Sequence, residues 1–202
     1  MTFSEADTYG VVSSLMMTGT DVASGMRRLI EHCNRLCPDA VWDRVAALDF
    51  TGDSDHLTRW LQHLLEVETP DESVVAFWFG IFDQAGADDR NFTRLYLAGS
   101  ASYDPDDKTA DWACRPAYFP KGRNADSEVL RTVSTILRAA GREASELAAY
   151  VLPVGYVGLA MVHACARLPR DLLLGHRTSR AAAVGFDSGD FITLPLINRR
   201  RP

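Results

Sequence analysis

The densest group of chemically capable side chains in this 202-residue chain is acidic, with Asp104, Asp106 and Asp107 close together and Asp111 following. Carboxylates at this density could bind a cation or a basic protein surface. A calcium-binding EF-hand loop needs oxygen ligands at alternate positions and glycine at the sixth, whereas this segment has lysine fifth and threonine sixth. The pattern therefore predicts a solvated Asp-Pro turn or a docking surface for a basic partner.

Cysteine and histidine side chains are present, but their spacing matches no metal motif. His32, Cys33 and Cys37 fall on one predicted helix, where both cysteines lie on the apolar stripe. Zinc needs three or four converging donors, and no second pair with matching spacing follows, so we expect core packing and predict no metal or other cofactor. A cysteine–histidine nucleophile stays open, drawn from Cys114, Cys165, His163 and His176.

A serine near the end of the chain invites comparison with hydrolase nucleophiles. The nucleophile elbow has the order Gly-x-Ser-x-Gly between a strand and a helix. In the segment Gly185–Gly189 the serine comes one position too late, and a strand pattern follows. The residues Asp187–Asp190 therefore predict a hairpin turn.

Charge is divided unevenly along the chain. Residues 1–111 carry 20 acidic and 8 basic side chains, whereas residues 112–202 carry 7 and 13. Such polarity tends to present surfaces of opposite sign, which steer association with charged partners. The sequence pI of about 5.3 makes a nucleic-acid partner unexpected, although Tyr118–Arg123 combines aromatic with basic residues.

Composition places the chain among ordinary globular proteins, with 47% hydrophobic and 24% charged residues. Few cysteines, and a start at Met1–Glu5 without the regions of a signal peptide, predict a cytoplasmic protein with reduced thiols. The 20 residues of Leu147–Ala166 carry no charge and are long enough to cross a bilayer. Its interior proline, glycines and tyrosines favour a buried helix, or two pieces bent at Pro153, so no membrane span is expected.

Periodic spacing of apolar residues and the positions of capping residues predict the elements. The predicted helices run from Thr20 or Asp21 to Cys37, from Asp53 or Ser54 to Val67, and from Asp126 to Ala140. The predicted strands are a central one at Val74–Phe82, a neighbour with one wet face at Phe92–Tyr103, a short one at Asp111–Arg115, and a hairpin of Ala181–Phe186 with Phe191–Ile197.

Segregated runs of helices and strands are typical of the α+β class. We therefore predict a single domain over residues 1–202, with a mainly antiparallel sheet of about five strands. N-terminal helices and a C-terminal helical region pack on that sheet. Residues 1–70 could form a helical subregion, and residues 198–202 are expected to be a loose basic tail.

The middle and end of the chain resemble a known class of proteins in composition and in the order of their elements. The runs that carry the resemblance are Val75–Phe82, Arg94–Asp107, Asp111–Arg123 and Ala183–Leu194. Together they look like the small α+β immunity proteins of bacterial polymorphic-toxin and secreted-effector loci. The resemblance covers about the last two-thirds of the chain. It implies tight binding and neutralisation of a cognate toxin, and it implies no particular functional residue.

These observations predict a non-catalytic binding protein for a basic toxin or effector protein. The predicted contact residues are Asp104, Asp106, Asp107 and Asp111, with Trp60 and Tyr103 as aromatic anchors if they are exposed. One alternative is a small hydrolase with a pocket between sheet and helices, using some of Asp83, Asp111, Arg115, His163 and Cys165. Another is a homo-oligomer in which the acidic and basic halves pair head to tail.

Overall fold

Capping side chains and apolar spacing place the helices near their predicted positions. A computed structural model describes residues 5–85, 91–187 and 190–199. Asp21 begins the second helix, as predicted, by accepting a hydrogen bond from the Ser24 N–H at 2.9 Å. The helices are α1 (Glu5–Met17), α2 (Val22–Leu36), α3 (Val41–Ala46), α4 (Phe50–Val67), α5 (Glu128–Leu137), α6 (Arg142–Arg167) and α7 (Arg170–Leu174).

The strands form one mixed sheet, which confirms the α+β class. They are β1 (Ala76–Ala85), β2 (Asn91–Ser100), β3 (Asn124–Ala125), β4 (Ser179–Phe186), β5 (Phe191–Thr193) and β6 (Ile197–Asn198). The order is β3-β2-β1-β4-β5, with β6 paired to β4. The predicted central strand β1 runs antiparallel to β2 but parallel to β4. The C-terminal hairpin therefore joins the sheet beside β1.

The helices cover one face of the sheet and form the main core there. Phe77, Phe79 and Ile81 of β1 point into this core and are fully buried. Helix α6 runs through its centre as one continuous helix across Pro153, and it packs against α1, α2, α4 and α5. By length and composition α6 could cross a membrane, and 78% of its apolar stretch is buried inside the fold. That burial is what the buried-helix alternative predicts.

The opposite face of the sheet is covered by a loop. Ala76, Trp78 and Ala98 form a second, smaller apolar cluster there with Trp112 and its neighbours. The prediction that β2 has one wet face is therefore wrong around Ser100, which is only 2% exposed. Residues 101–119, called here the covering loop, follow β2 directly and fold back over this face, and the alternation of residues within a strand does not reveal that the next segment will cover it.

Several predicted boundaries are corrected by side-chain bonding. Residues Asp111–Ala113 form a 3₁₀ turn, so no strand forms in this segment. Helix α4 begins one turn before its predicted start, because the Asp49 carboxylate accepts from the Gly52 N–H. The predicted loose tail is held at its start, since Asn198 pairs in β6 and the Arg199 N–H donates to the Thr178 carbonyl.

Buried phenols and thiols predict that the fold weakens at alkaline pH. Burial raises the pKa of Cys33, Cys165 and Tyr118 to about 12 each. Burial, reinforced by neighbouring carboxylates, also raises the pKa of Tyr96 and Tyr156. The folded chain therefore keeps protons that the unfolded chain releases above its ordinary values of 9.0 for thiols and 10.0 for phenols. Their stabilising contribution is complete below those values and is lost as pH rises toward the folded-state pKa.

The free energy of unfolding should fall from pH 9 and more steeply above pH 10, by about 1.4 kcal/mol per pH unit for each such group. Urea unfolding at pH 7, 9, 10 and 11 measures this dependence. Tyr118→Phe should flatten the curve above pH 10 and leave its slope between pH 9 and 10 unchanged. A stability that stays level to pH 11 would contradict the assignment.

Candidate functional site

The predicted acidic residues lie on the covering loop. Asp104, Asp106 and Asp111 are exposed, and Asp107 is half-buried. The Asp104 carboxylate accepts from the Asp106 N–H at 2.9 Å, and the Asp107 carboxylate accepts from the Thr109 N–H at 2.7 Å and hydroxyl at 2.6 Å. These bonds from Thr109 lower the pKa of Asp107. The loop therefore presents its carboxylates on a backbone folded into two successive turns.

Trp112 anchors the covering loop to the sheet. Its ring packs edge-on against Trp78 at 5.9 Å and against Tyr103 at 5.1 Å between centroids. The Ser100 hydroxyl donates to the Trp112 carbonyl at 2.6 Å, while the indole N–H makes no hydrogen bond within the described residues. Further along, the Tyr118 backbone pairs with Gly99 of β2. The loop is fixed at its middle by packing and at its end by backbone pairing.

The two predicted aromatic anchors are separated by the sheet. Tyr103 lies on the covering-loop side, half-buried against Trp112. Trp60 of α4 lies on the helix side, where its indole N–H donates to the Gly122 carbonyl at 3.2 Å. Trp60 therefore does not share a surface with the acidic loop.

An aromatic cleft of about 350 Å³ opens beside the covering loop. The Tyr96 hydroxyl donates to the Asp187 carboxylate at 2.7 Å and accepts from the Trp78 indole N–H at 3.2 Å. Because of its burial and its bond to Asp187, the pKa of Tyr96 is raised, so the phenol stays a neutral donor. The cleft is lined by Trp78, Tyr96, Ala98, Thr109, Ala110, Ala113, Cys114, Pro116, Phe119, Phe186 and Asp187.

Two strand glycines make room for the rings of this cleft. A Cβ on Gly80 would lie 2.1 Å from the Tyr96 ring. A Cβ on Gly185 would lie 2.7 Å from the Trp78 ring and 2.6 Å from the Asp190 carbonyl oxygen. Sequence reasoning missed this cleft. The signal that could have indicated it is glycine inside a strand, because such a glycine marks a place where another group approaches the backbone closely.

A second cleft, of about 370 Å³, lies between the sheet and helices α5 and α6. Asp83 lines it, and its carboxylate accepts from the Thr93 hydroxyl at 2.9 Å. The Ser134 hydroxyl lies 3.0 Å from that of Thr93, and Arg138 lines the same cleft. Within the described residues, Asp83 is the one carboxylate lining this cleft, and no histidine or cysteine lines it.

The remaining residues of the hydrolase alternative are dispersed. His163 contacts Arg167 on the same helix at 2.9 Å, and Cys165 lines a separate apolar pocket of about 130 Å³. Asp111 and Arg115 are exposed on the covering loop, on the far side of the sheet from α6. Across residues 5–85, 91–187 and 190–199, no group of three histidine, cysteine or acidic side chains is placed to hold a metal.

The charge split along the sequence does not divide the molecule into two halves. Strand β4 from the basic half lies beside β1 from the acidic half, and α6 packs among α1, α2 and α4. Ion pairs cross the division, including Arg167 with Asp55 at 2.6 Å. The covering loop, with four carboxylates against Lys108 and Arg115, is an acidic feature whose charges lie within one short segment.

No protein-family model, no curated protein and no solved structure matches this chain significantly. The resemblance to immunity proteins therefore stays a prediction. The covering loop and the two clefts are the grounds on which a function can be assigned.

Proposed function

We propose that this protein is a non-catalytic binding protein that recognises a basic protein partner through its covering loop. The observation that carries the proposal is a set of exposed carboxylates, at Asp104, Asp106 and Asp111, on a loop fixed to the sheet by Trp112. A recognition segment already held in one conformation loses little freedom when it binds. Its charges therefore act from fixed positions.

Electrostatics supports a basic partner. Carboxylates at the rim of an interface raise association rates toward partners of opposite charge, and they contribute less to the lifetime of the complex. The overall charge of −6 acts in the same direction, because it attracts cationic proteins at long range. Together with the resemblance stated above, this favours an immunity protein that neutralises a cognate basic toxin or effector in the bacterial cytoplasm.

The hydrolase alternative depends on the cleft between the sheet and helices α5 and α6. Asp83, bonded to Thr93 and through it to Ser134, is the feature that favours it. General acid–base chemistry on a bond such as a glycosidic one needs a pair of carboxylates, and nucleophilic chemistry needs a base beside the nucleophile. The described residues of this cleft supply neither pair, so binding is the better-supported function.

Reversal of the loop charge tests the proposal. The partner is first isolated by low-salt pull-down from the native host and identified by mass spectrometry. In the triple variant Asp104→Lys, Asp106→Lys and Asp107→Lys, the association rate should fall by about ten-fold or more, with a weaker dependence on salt. Stopped-flow or surface-plasmon kinetics over a range of salt concentrations measures both quantities.

The matched control changes net charge by the same amount elsewhere. Glu31, Asp43 and Glu66 are exposed on helices α2, α3 and α4, and their replacement by lysine leaves the covering loop intact. This control should slow association less than the loop variant does. Equal slowing in both variants would assign the effect to net charge, and unchanged kinetics in the loop variant would remove the covering loop from recognition.

A further inference from the structure

We propose that the aromatic cleft receives the cationic end of an arginine or lysine side chain from the partner. This inference rests on the proposed function, since it assumes that the partner is a basic protein. It goes further by naming the chemical group recognised and the pocket that recognises it. The covering loop would attract the partner, and the cleft would hold one of its side chains.

The lining of the cleft has the chemistry of a cation site. Three aromatic residues, Trp78, Tyr96 and Phe119, line the space, whereas the Phe186 ring packs against Tyr150 of α6. Aromatic faces carry partial negative charge and attract guanidinium and ammonium groups, most strongly where water is excluded. The chain already uses this interaction at one of these rings, because the Arg123 guanidinium carbon lies 4.0 Å from the centre of the Phe119 ring.

Charge complementarity decides between a cationic and an apolar occupant. The Asp187 carboxylate lines the cleft, and one of its oxygens is held by the Tyr96 hydroxyl. Among the described lining residues there is no lysine or arginine to neutralise it. An apolar side chain would cover this carboxylate without compensating its charge, whereas a guanidinium or ammonium would pair with it.

The size of the cleft is also suitable. Its volume of about 350 Å³ falls at the small end of the range for ligand sites, which is roughly 300–1,000 Å³. The glycines at positions 80 and 185 set the depth by letting Tyr96 and Trp78 lie close to the strands. One long side chain can enter such a space with its stem along the rings and its charged end at Asp187.

The test uses single capped amino acids, so it needs no knowledge of the partner. Nα-acetyl-arginine amide and Nα-acetyl-lysine amide are titrated into the ¹⁵N-labelled protein, with Nα-acetyl-norleucine amide as the apolar probe of similar length. The indole N–H resonance of Trp78, assigned with Trp78→Phe, reports occupancy. The cationic probes should shift it saturably, and norleucine should bind at least five-fold more weakly.

The matched variants separate the cleft carboxylate from general charge. Asp187→Asn should weaken arginine binding at least five-fold, because it removes the charge while keeping an oxygen that can accept from Tyr96. Asp190→Asn, an equal charge change at an exposed position of the same hairpin, should leave it unaltered. Binding of norleucine as tightly as arginine, or of no probe at all, would overturn the inference.

Failure here and failure of the proposed function give different results. If the loop-reversal variant loses partner association while the cleft binds no cation, the cleft inference is wrong and the proposed function stands. If arginine binds in a manner that depends on Asp187 while the isolated partner is not basic, the cation site stands and the proposed partner class is wrong.

Discussion

Replacement of Trp112 by alanine is expected to lower the free energy of unfolding by about 3–5 kcal/mol, the usual cost of removing a buried large aromatic side chain. Trp112 is 7% exposed and packs between Trp78 and Tyr103. Its loss leaves a cavity beneath the covering loop and releases the middle of the loop from its packing on the sheet, while the pairing of Tyr118 with Gly99 still holds the end. Urea or guanidinium unfolding, followed by circular dichroism, measures the change.

The same variant links stability to recognition. Once released, the covering loop should become a substrate for trypsin at Lys108, which is exposed on it and is followed by Thr109. Partner affinity should fall because ordering of the loop then accompanies binding. Trp112→Phe is the matched control. It retains a ring, and the indole N–H that it removes makes no hydrogen bond in the described structure. A loss below 1 kcal/mol in Trp112→Ala would show that Trp112 does not anchor the loop.

Replacement of Arg180 by alanine is the second large effect expected, with a loss of about 3–5 kcal/mol. Arg180 is 1% exposed on β4, and its guanidinium lies 4.6 Å from the Phe77 ring centre. Its Nε donates to the Val74 carbonyl and its Nη1 to the Leu173 carbonyl, so it ties β4 to the segment before β1 and to α7. Alanine leaves both carbonyls without these donors and opens a cavity.

The variant Arg180→Met distinguishes the effect of the lost hydrogen bonds on stability from the effect of the cavity that alanine leaves. Methionine fills most of the space and removes a buried charge for which no carboxylate pairs directly within the described residues. The free energy of unfolding of Arg180→Met should fall by a smaller amount, about 1–3 kcal/mol, because the two carbonyls lose their donors but little cavity opens. An alanine variant that unfolds within 1 kcal/mol of the wild type would contradict this role.

Arg180 also acts on the pH dependence with the opposite sign to the tyrosines. Burial lowers its pKa to about 10, so above that pH the folded state releases a proton that the unfolded chain retains up to its ordinary value of 12.5. Stability from this one group therefore rises with pH above 10. The contributions of Tyr96, Tyr118 and Tyr156 together exceed that of this one arginine, so the free energy of unfolding still falls as pH rises above 10.

Local patterns were sufficient for most elements of the fold. Alternation and β-branched or aromatic content predicted β1 and β2, and apolar spacing predicted α2, α4 and α5. These signals come from residues near one another in the chain, so the spacing of apolar residues predicts which face of an element is buried. The α+β class followed from the order of the elements.

Long-range contacts decided what local patterns could not. Asp53 reads as a helix cap in the sequence, yet its carboxylate accepts from the Ser127 hydroxyl, the Glu128 N–H and the Tyr156 hydroxyl. Asp49 takes the capping position instead. A capping residue is chosen by competition among nearby carboxylates, and partners about 75 to 100 residues away settle that competition only once the chain has folded.

The sequence by itself determined the fold class, the main helices and strands, and an exposed acidic segment around residues 104–111. Tertiary structure alone placed β4 parallel to β1, laid the covering loop over the sheet, and brought Trp78, Tyr96, Phe119 and Asp187 around one cleft. The physical reason is the separation along the chain of the residues that make each contact. Secondary structure follows from contacts a few residues apart, whereas a cleft exists only where rings and charges from distant strands share one face of a sheet.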